Sequence, residues 1–222
     1  MDSYLSDARV TIVCGHYGTG KTNLAINLAL MSAAAGRDTS LLDLDVVNPY
    51  FRSSDSAALL AERGVIVHGP NLANTNLDTP SLSAAIGPTL RSRRWVIVDL
   101  GGDDVGATAF ARFAGDLPPG YSMLYVVNRN RPEVSMPEGA VAMLREIESK
   151  SGARATGIAN NTHLMGLTTP ETVAESVDYA ESVARLAGLP LLFTTVPRDL
   201  SKHFVGAPGI LPIDVHVRVP WG

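Results

Sequence analysis

Apolar positions fall into two alternating patterns along the chain. Val10 to Cys14, Thr39 to Asp43, Trp95 to Asp99, Met123 to Val127 and Leu189 to Thr195 are apolar on nearly consecutive positions, the mark of strands buried on both faces. The stretches between them repeat at helical spacing. Ser135 with Glu138 reads as a capping box, and Thr169 before Pro170 as a cap ahead of a first-turn proline. After Pro170, the residues Val173, Val177, Ala180, Ala184 and Ala187 share one stripe, and Gly188 is placed to end that helix in a left-handed conformation. Strand and helix alternating in this way predict an α/β fold, a doubly wound and mostly parallel sheet flanked by helices in three layers. Residues 1–222 read as a single domain, with ligands expected at the carboxyl ends of the strands. Gly206 to Pro212 reads as a late loop. The tail IDVHVRVPWG alternates with period two and predicts a short terminal strand, while Pro212 and Pro220 argue against a terminal amphipathic helix.

Composition narrows the function classes. Of 222 residues, 45% are hydrophobic and 18% charged, which excludes a disordered chain. The 18 Lys and Arg against 22 Asp and Glu give a net charge of −4, without the broad positive field that draws a protein to nucleic acid or anionic lipid. The cluster Arg91, Arg93 and Arg94 is too small to change that. Cys14 is the sole cysteine, so an intrachain disulfide and a multi-cysteine metal cage are excluded, which fits a reducing, cytoplasmic setting. No apolar stretch reaches the roughly 18 residues of a membrane span; the longest, Leu24 to Ala35, is interrupted by Asn27 and Ser32. MDSYLSDARV lacks the basic and apolar regions of an export signal, and His68, His163, His203 and His216 show no metal-ligand spacing.

The sharpest motif follows the first strand. GHYGTGKT, from Gly15 to Thr22, matches G-x-x-x-x-G-K-[ST] and runs into the helical pattern TNLAINLALMSAAAG. Glycines there let backbone N–H groups turn inward around phosphate oxygens, and the positive end of the helix adds to the attraction. Lys21 is placed to reach the β- and γ-phosphates, and the Thr22 hydroxyl to bind Mg²⁺. Cys14, a small thiol on a core strand, reads as packing.

A phosphate loop needs a carboxylate for the magnesium shell, and two strand ends offer one. WVIVDLGGDD places Asp99 after an apolar run and before Gly101 and Gly102, where a backbone N–H could approach a γ-phosphate. LLDLDVVNPYFRSSD places Asp43 and Asp45 two apart, on one face of a continuing strand, to hold magnesium-bound water or to orient an attacking water. A solvated turn before Pro49 is the other reading of that segment. Arg52 lies in the same loop, and Asn128, Arg129 and Arg131 in YVVNRNRPEVS stand at another strand end, as solvated arginines or as the lining of a substrate or partner site.

With the loop, DLD and DLGG in this order, the sequence resembles the MinD/ParA/CobQ-CobB group of P-loop ATPases, the SIMIBI-class proteins with a deviant Walker A loop, over most of its length. That family's loop reads K-G-G-x-G-K-[ST], followed by D-x-D and then D-x-x-G. The match falls on Gly18, Gly20, Lys21, Thr22, Asp43, Asp45, Asp99 and Gly102. The family's extra lysine, which crosses to the partner's phosphates in dimers, falls on His16, and its first paired glycine falls on Tyr17. Histidine supplies that charge poorly near pH 7. The resemblance implies ATP and Mg²⁺ held by Gly15 to Thr22, magnesium contacts from Thr22, Asp45 and Asp99, and catalytic roles for Lys21, Asp43 and Asp45. It also implies adenine recognition by an Asn after a late strand and by a loop near the last one. GIANN supplies Asn160 and Asn161, and FTTVPRDL supplies Pro197, Arg198 and Asp199. A turn role ahead of Thr169 is the alternative for Asn161. No N-K-x-D guanine signature is present, which favours ATP over GTP.

The leading functional expectation is a cytoplasmic Mg²⁺-dependent ATPase that acts as a nucleotide-driven switch on a protein partner, as a monomer or a homodimer. The alternatives are a small-molecule kinase or ATP-dependent ligase resembling dethiobiotin synthetase and CobB, with Asn128 to Arg131 gripping an acid, and a nucleotide-binding scaffold that does not hydrolyse. A lone cysteine does not reproduce the C-x-C pair of metal-insertion ATPases, and the proline-broken tail lacks the terminal helix of membrane-recruited division ATPases.

Overall fold

A computed structural model describes residues 7–44, 54–69, 84–102 and 104–217. The chain runs β1 (Val10–Cys14), α1 (Lys21–Ala34), β2 (Thr39–Leu44), α2 (Ser54–Glu62), β3 (Ile66–His68), α3 (Ile86–Arg91), β4 (Trp95–Leu100) and α4 (Asp104–Ala111). It continues through β5 (Ser122–Val127), α5 (Pro137–Ser151), β6 (Gly157–Asn160), α6 (Pro170–Ala174), α7 (Val177–Ala187), β7 (Leu191–Pro197) and β8 (Ile210–Ile213). These eight strands form one parallel sheet in the order β3-β2-β4-β1-β5-β6-β7-β8.

The continuous apolar runs become strands because both faces of the sheet are covered. Alternate residues of β1 divide between two cores. Val13 packs with Leu24, Ala25 and Leu28 of α1 and Leu60 of α2. Val10, Ile12 and Cys14 pack instead with Phe110 of α4, Leu144 of α5 and Val183 of α7. This division follows from right-handed crossovers: the chain moves one way from β1 to β3 and the other way from β4 onward, so helices of the two halves lie on opposite faces. The reversal falls beside β1, and the loop leaving β1 opens at that switch point.

Three local expectations are corrected. α5 starts at Pro137 with Met136 as its cap residue and no side-chain cap, because the Ser135 hydroxyl donates to Pro132 O, so Ser135 and Glu138 form no capping box. The helix after Pro170 is two helices. The Thr169 cap is present and closes a capping box with Thr172, but the buried Ser176 hydroxyl donates to Val173 O and accepts from Asn160, and the chain tightens there before restarting. α7 then ends at a left-handed Gly188 as its sequence predicts. Finally, the last strand is Ile210–Ile213: it begins inside the stretch read as a loop and ends at the first residue of the tail read as a strand. Residues 214–217 leave the sheet because Asn23 and Asn27 of α1 capture their backbone through Asp214 and His216. Among the described residues no helix is long and apolar enough to cross a membrane.

Candidate functional site

The loop from Gly15 to Gly20 wraps into a ring whose centre is one carbonyl. His16 O accepts from Thr19 N at 3.3 Å, from Thr19 Oγ1 at 2.8 Å and from Lys21 Nζ at 3.2 Å. Gly18 and Gly20 have φ of +72° and +85°, a region side chains resist, so the turn needs glycine there. Gly20 is the cap residue of α1, whose first turn carries no acidic side chain to compete with an anion at its positive end. Lys21 is only 4% exposed, and its ammonium is tied back to the loop through His16 O. A glycine-bearing loop at a helix N-terminus, closed by a buried amine, is chemically suited to a polyphosphate. Thr22, half-buried, follows on the first turn of α1.

The acidic strand ends meet beside this loop. Asp43 of β2 and Asp99 of β4 are register partners, so their side chains leave the same face, the α1 face that also carries Val13. Both are buried, at 5% and 0% exposure. Two buried carboxylates on neighbouring strands are stable as anions only with positive charge nearby, and the lysine and a divalent cation are of the right kind. Asp45 and Arg52 lie outside the described residues. Gly102, past β4, abuts the loop so closely that a Cβ there would collide with Gly15 O and come within 2.9 Å of Lys21 Nζ. Among the described residues no three His, Cys, Asp or Glu side chains form a metal cluster by themselves. A Mg²⁺ ion suits the donor set only if nucleotide oxygens and water complete its octahedron, with Thr22 and Asp99 supplying protein oxygens.

Two neighbouring loops brace the ring. Asn161, set against adenine by its sequence position, is buried: its amide donates to Thr19 O at 2.6 Å and its carbonyl accepts from Thr195. Its side chain supports the phosphate loop from β6. Asn160 is likewise committed inward, to Ser176, Thr194 and Thr162. His163 packs beside Gly20, and burial together with the Arg131 guanidinium pushes its pKa down to about 4, so it is neutral at physiological pH. From the loop after β5, Arg131 Nε donates to Gly18 O at 2.6 Å, and Glu133 lies 3.5 Å from His16 Nε2. Asn128 is buried and shapes its own turn through Asn130 N, while Arg129 donates to Glu175 O. Tyr17 projects outward, 60% exposed.

At the far side, Pro197 ends β7 and Arg198 pairs through Nε with both oxygens of Asp214. The carboxylate raises the Arg198 pKa further and is itself held below its ordinary value by Arg198. His163 and Glu133, which touch the loop, and Thr195, which holds Asn161, escape sequence reading because each acts from a neighbouring strand end and none belongs to a local motif. Cys14 is fully buried with its thiol pushed up to about 12, a packing residue as expected. A separate hollow of about 280 Å³ lies at the amino ends of the strands near Trp95, Ser122 and Phe193. A larger one, of about 420 Å³, lies between the segment after β5 and the segment after β6, lined by Arg129, Met136 and Leu164.

The chain is similar in structure to the cell division protein FtsY of Thermotoga maritima, with a TM-score of 0.58 and 20% identity over 86% of this chain and 62% of that one. The fold is that of a P-loop NTPase. It is also similar to FtsY of Mycoplasma mycoides, with a TM-score of 0.56, 15% identity and coverage of 88% and 66%. A third similar structure is the signal recognition particle 54 kDa protein of Aeropyrum pernix in complex with GDP, with a TM-score of 0.54, 16% identity and coverage of 85% and 41%. The chain spans about two thirds or less of the length of these structures. No family model and no curated protein matches the sequence.

Proposed function

We propose that the chain is a Mg²⁺-dependent ATP-binding P-loop protein of the MinD/ParA/CobQ-CobB type, a slow ATPase whose bound nucleotide sets the state of a switch read by a protein partner. The observation that carries this reading is the ring around His16 O. It joins left-handed glycines, a buried lysine and the uncapped start of α1 in one place, with Asp43 and Asp99 beside it. Lys21 would hold the β- and γ-phosphates, the loop N–H groups the β-phosphate, and Asp43 with Asp45 the attacking water. When bound, Mg²⁺ would neutralise developing phosphate charge, with Thr22 and Asp99 as its protein contacts.

Pro197 and Arg198 would border the base. Asn161 serves the loop instead, and ATP is preferred to GTP because the chain lacks N-K-x-D. The GDP in the Aeropyrum pernix protein makes guanine the competing base. A partner is supported by exposed apolar side chains on the loop and on the segments after β5 and β6 that brace it, Tyr17, Met136 and Leu167, the last 78% exposed. The kinase or ligase reading gains nothing from Asn128 and Arg129, which are engaged within the chain, and Arg131 is anchored through Nε on the phosphate loop itself.

The test is calorimetry with ATP and GTP, with and without Mg²⁺, on the wild type and Lys21→Ala, together with phosphate release across a range of protein concentration. Lys21→Ala is expected to weaken triphosphate binding about a hundredfold, the order of two lost charge-assisted hydrogen bonds. Unchanged affinity would refute the site. Turnover that rises with protein concentration would make a homodimer the active form.

A further inference from the structure

The loop departs from its family pattern at the position where a second cation would stand. His16 has its ring nitrogen 3.5 Å from Glu133 Oε2, so the side chain at that position is turned toward an acid of its own chain. Two residues before that acid stands Arg131. Its Nε donates to Gly18 O, and its guanidinium packs close over Gly18: a Cβ on Gly18 would come within 3.0 Å of Nε and 3.2 Å of Cζ. Only glycine at position 18 leaves room for it. The two terminal nitrogens of Arg131 make no hydrogen bond or ion pair with any described residue. The neighbouring imidazole of His163 is neutral, so Arg131 brings a single full positive charge to the outer wall of the loop.

Resting on the proposed nucleotide site, we propose that Arg131 is the second phosphate-binding cation of this protein, supplied within the same chain. Nε stays anchored on Gly18 O while the terminal nitrogens take an oxygen of the terminal phosphate. A guanidinium suits this division of labour because its five donors form a fixed fork, so one edge can hold the carbonyl and the other the anion. Rank among phosphates follows from place. Arg131 meets the loop at its middle, at Gly18, while in the proposed site the loop's own N–H groups serve the β-phosphate and Lys21 bridges the β- and γ-phosphates, which leaves the outer oxygens of the terminal phosphate for a second cation. The arginine therefore discriminates triphosphate from diphosphate.

The experiment compares Mg²⁺ complexes of AMP-PNP and ADP by calorimetry on wild type, Arg131→Gln and Arg131→Lys, or GMP-PNP and GDP should guanine nucleotides bind more tightly. The expected result for Arg131→Gln is a loss of about tenfold or more in triphosphate-analogue affinity with diphosphate affinity within about twofold, as befits one charged contact to the last phosphate. Arg131→Lys keeps the charge and is expected to recover part of the discrimination. Equal weakening of both nucleotides would overturn the proposal and leave Arg131 as a brace of the loop. Should Arg131→Gln not fold, Arg131→Lys decides alone: a loss confined to the triphosphate analogue supports the proposal, and an equal loss on both overturns it. A wild type that binds neither nucleotide would refute the nucleotide reading itself, an outcome distinct from wild-type binding with equal losses in the variants.

Discussion

Replacing Asn161 with alanine separates a loop brace from a base reader. In the folded protein the side-chain amide donates to Thr19 O and the side-chain carbonyl accepts from Thr195 Oγ1, and all three residues are buried. Alanine leaves Thr19 O without that donor and the Thr195 hydroxyl without its main acceptor. Each orphaned buried group costs about 1–3 kcal/mol. The Thr195 hydroxyl also reaches Asn160 O at 3.3 Å and recovers part of its loss. The expected total is about 2–4 kcal/mol, which for a chain of this size lowers Tm by roughly 5–15 °C. Urea unfolding followed by circular dichroism measures the loss. Thr195→Val and the double variant complete a cycle in which the double loss falls short of the sum of the single losses by about 1 kcal/mol. The ratio of ATP to GTP affinity should not change, because the side chain does not face a base. A stability change under about 0.5 kcal/mol, together with a collapsed ATP to GTP ratio, would refute the assignment and return Asn161 to the adenine.

Two further outcomes test the same wall of the site. Gly102→Ala drives a Cβ against Gly15 O and toward Lys21 Nζ, and it should lower stability by about 1–3 kcal/mol and nucleotide affinity by roughly tenfold; wild-type affinity would mean the loop does not rest on Gly102. His163 has a folded pKa of about 4 against an ordinary 6.5, so below pH 6.5 the unfolded chain binds a proton that the folded chain refuses. Its contribution is complete above pH 6.5 and is lost as pH falls toward 4, on the order of 2–3 kcal/mol in urea titrations. His163→Asn should flatten that part of the profile, and an unchanged slope would place the imidazole in water.

The strands and the phosphate loop were legible because their signals are local. A five-residue apolar run can only be satisfied between two layers, and G-x-x-x-x-G-K-[ST] holds its meaning within eight positions. Val10 to Cys14 accordingly begins and ends where its pattern does. Failures came where a distant group competed for a local one. Ser176 sits within a stretch whose apolar stripe reads as one continuous helix, yet its bond to Asn160, 16 residues away, helps divide that helix. The tail alternates like a strand, but Asn23 and Asn27 remove its backbone from the sheet across more than 180 residues. Asn161 looked like a base contact because an amide at a strand end suits one. Its partner is Thr19, 142 residues away, and only the parallel register of β1, β5 and β6 brings the two together. The Arg131 contact with Gly18 spans 113 residues and carries no motif.

These long-range bonds also decide where a change in the nucleotide can be felt. The carbonyls of Gly18 and Thr19 are successive outward acceptors of the loop, and each is held by a different neighbour, Arg131 from the loop after β5 and Asn161 from the end of β6. A peptide cannot turn toward a phosphate without moving the group on its carbonyl. Rotation at Gly18 or Thr19 is therefore transmitted to residues 128–136 and 161–168, the two segments that present Met136, Leu164 and Leu167 to solvent. Met165 in the second segment has a φ of +55°, a conformation a side chain resists, held by the Thr168 hydroxyl, which donates to Met165 O. On the opposite side of β1, Gly102 touches the loop through backbone packing, with no room to spare. The proposed switch is accordingly asymmetric: the β4 side forms a close-packed wall, and the β5 and β6 side carries hydrogen bonds that can break. A partner that senses the nucleotide state has its physical reason to dock on the β5 and β6 side.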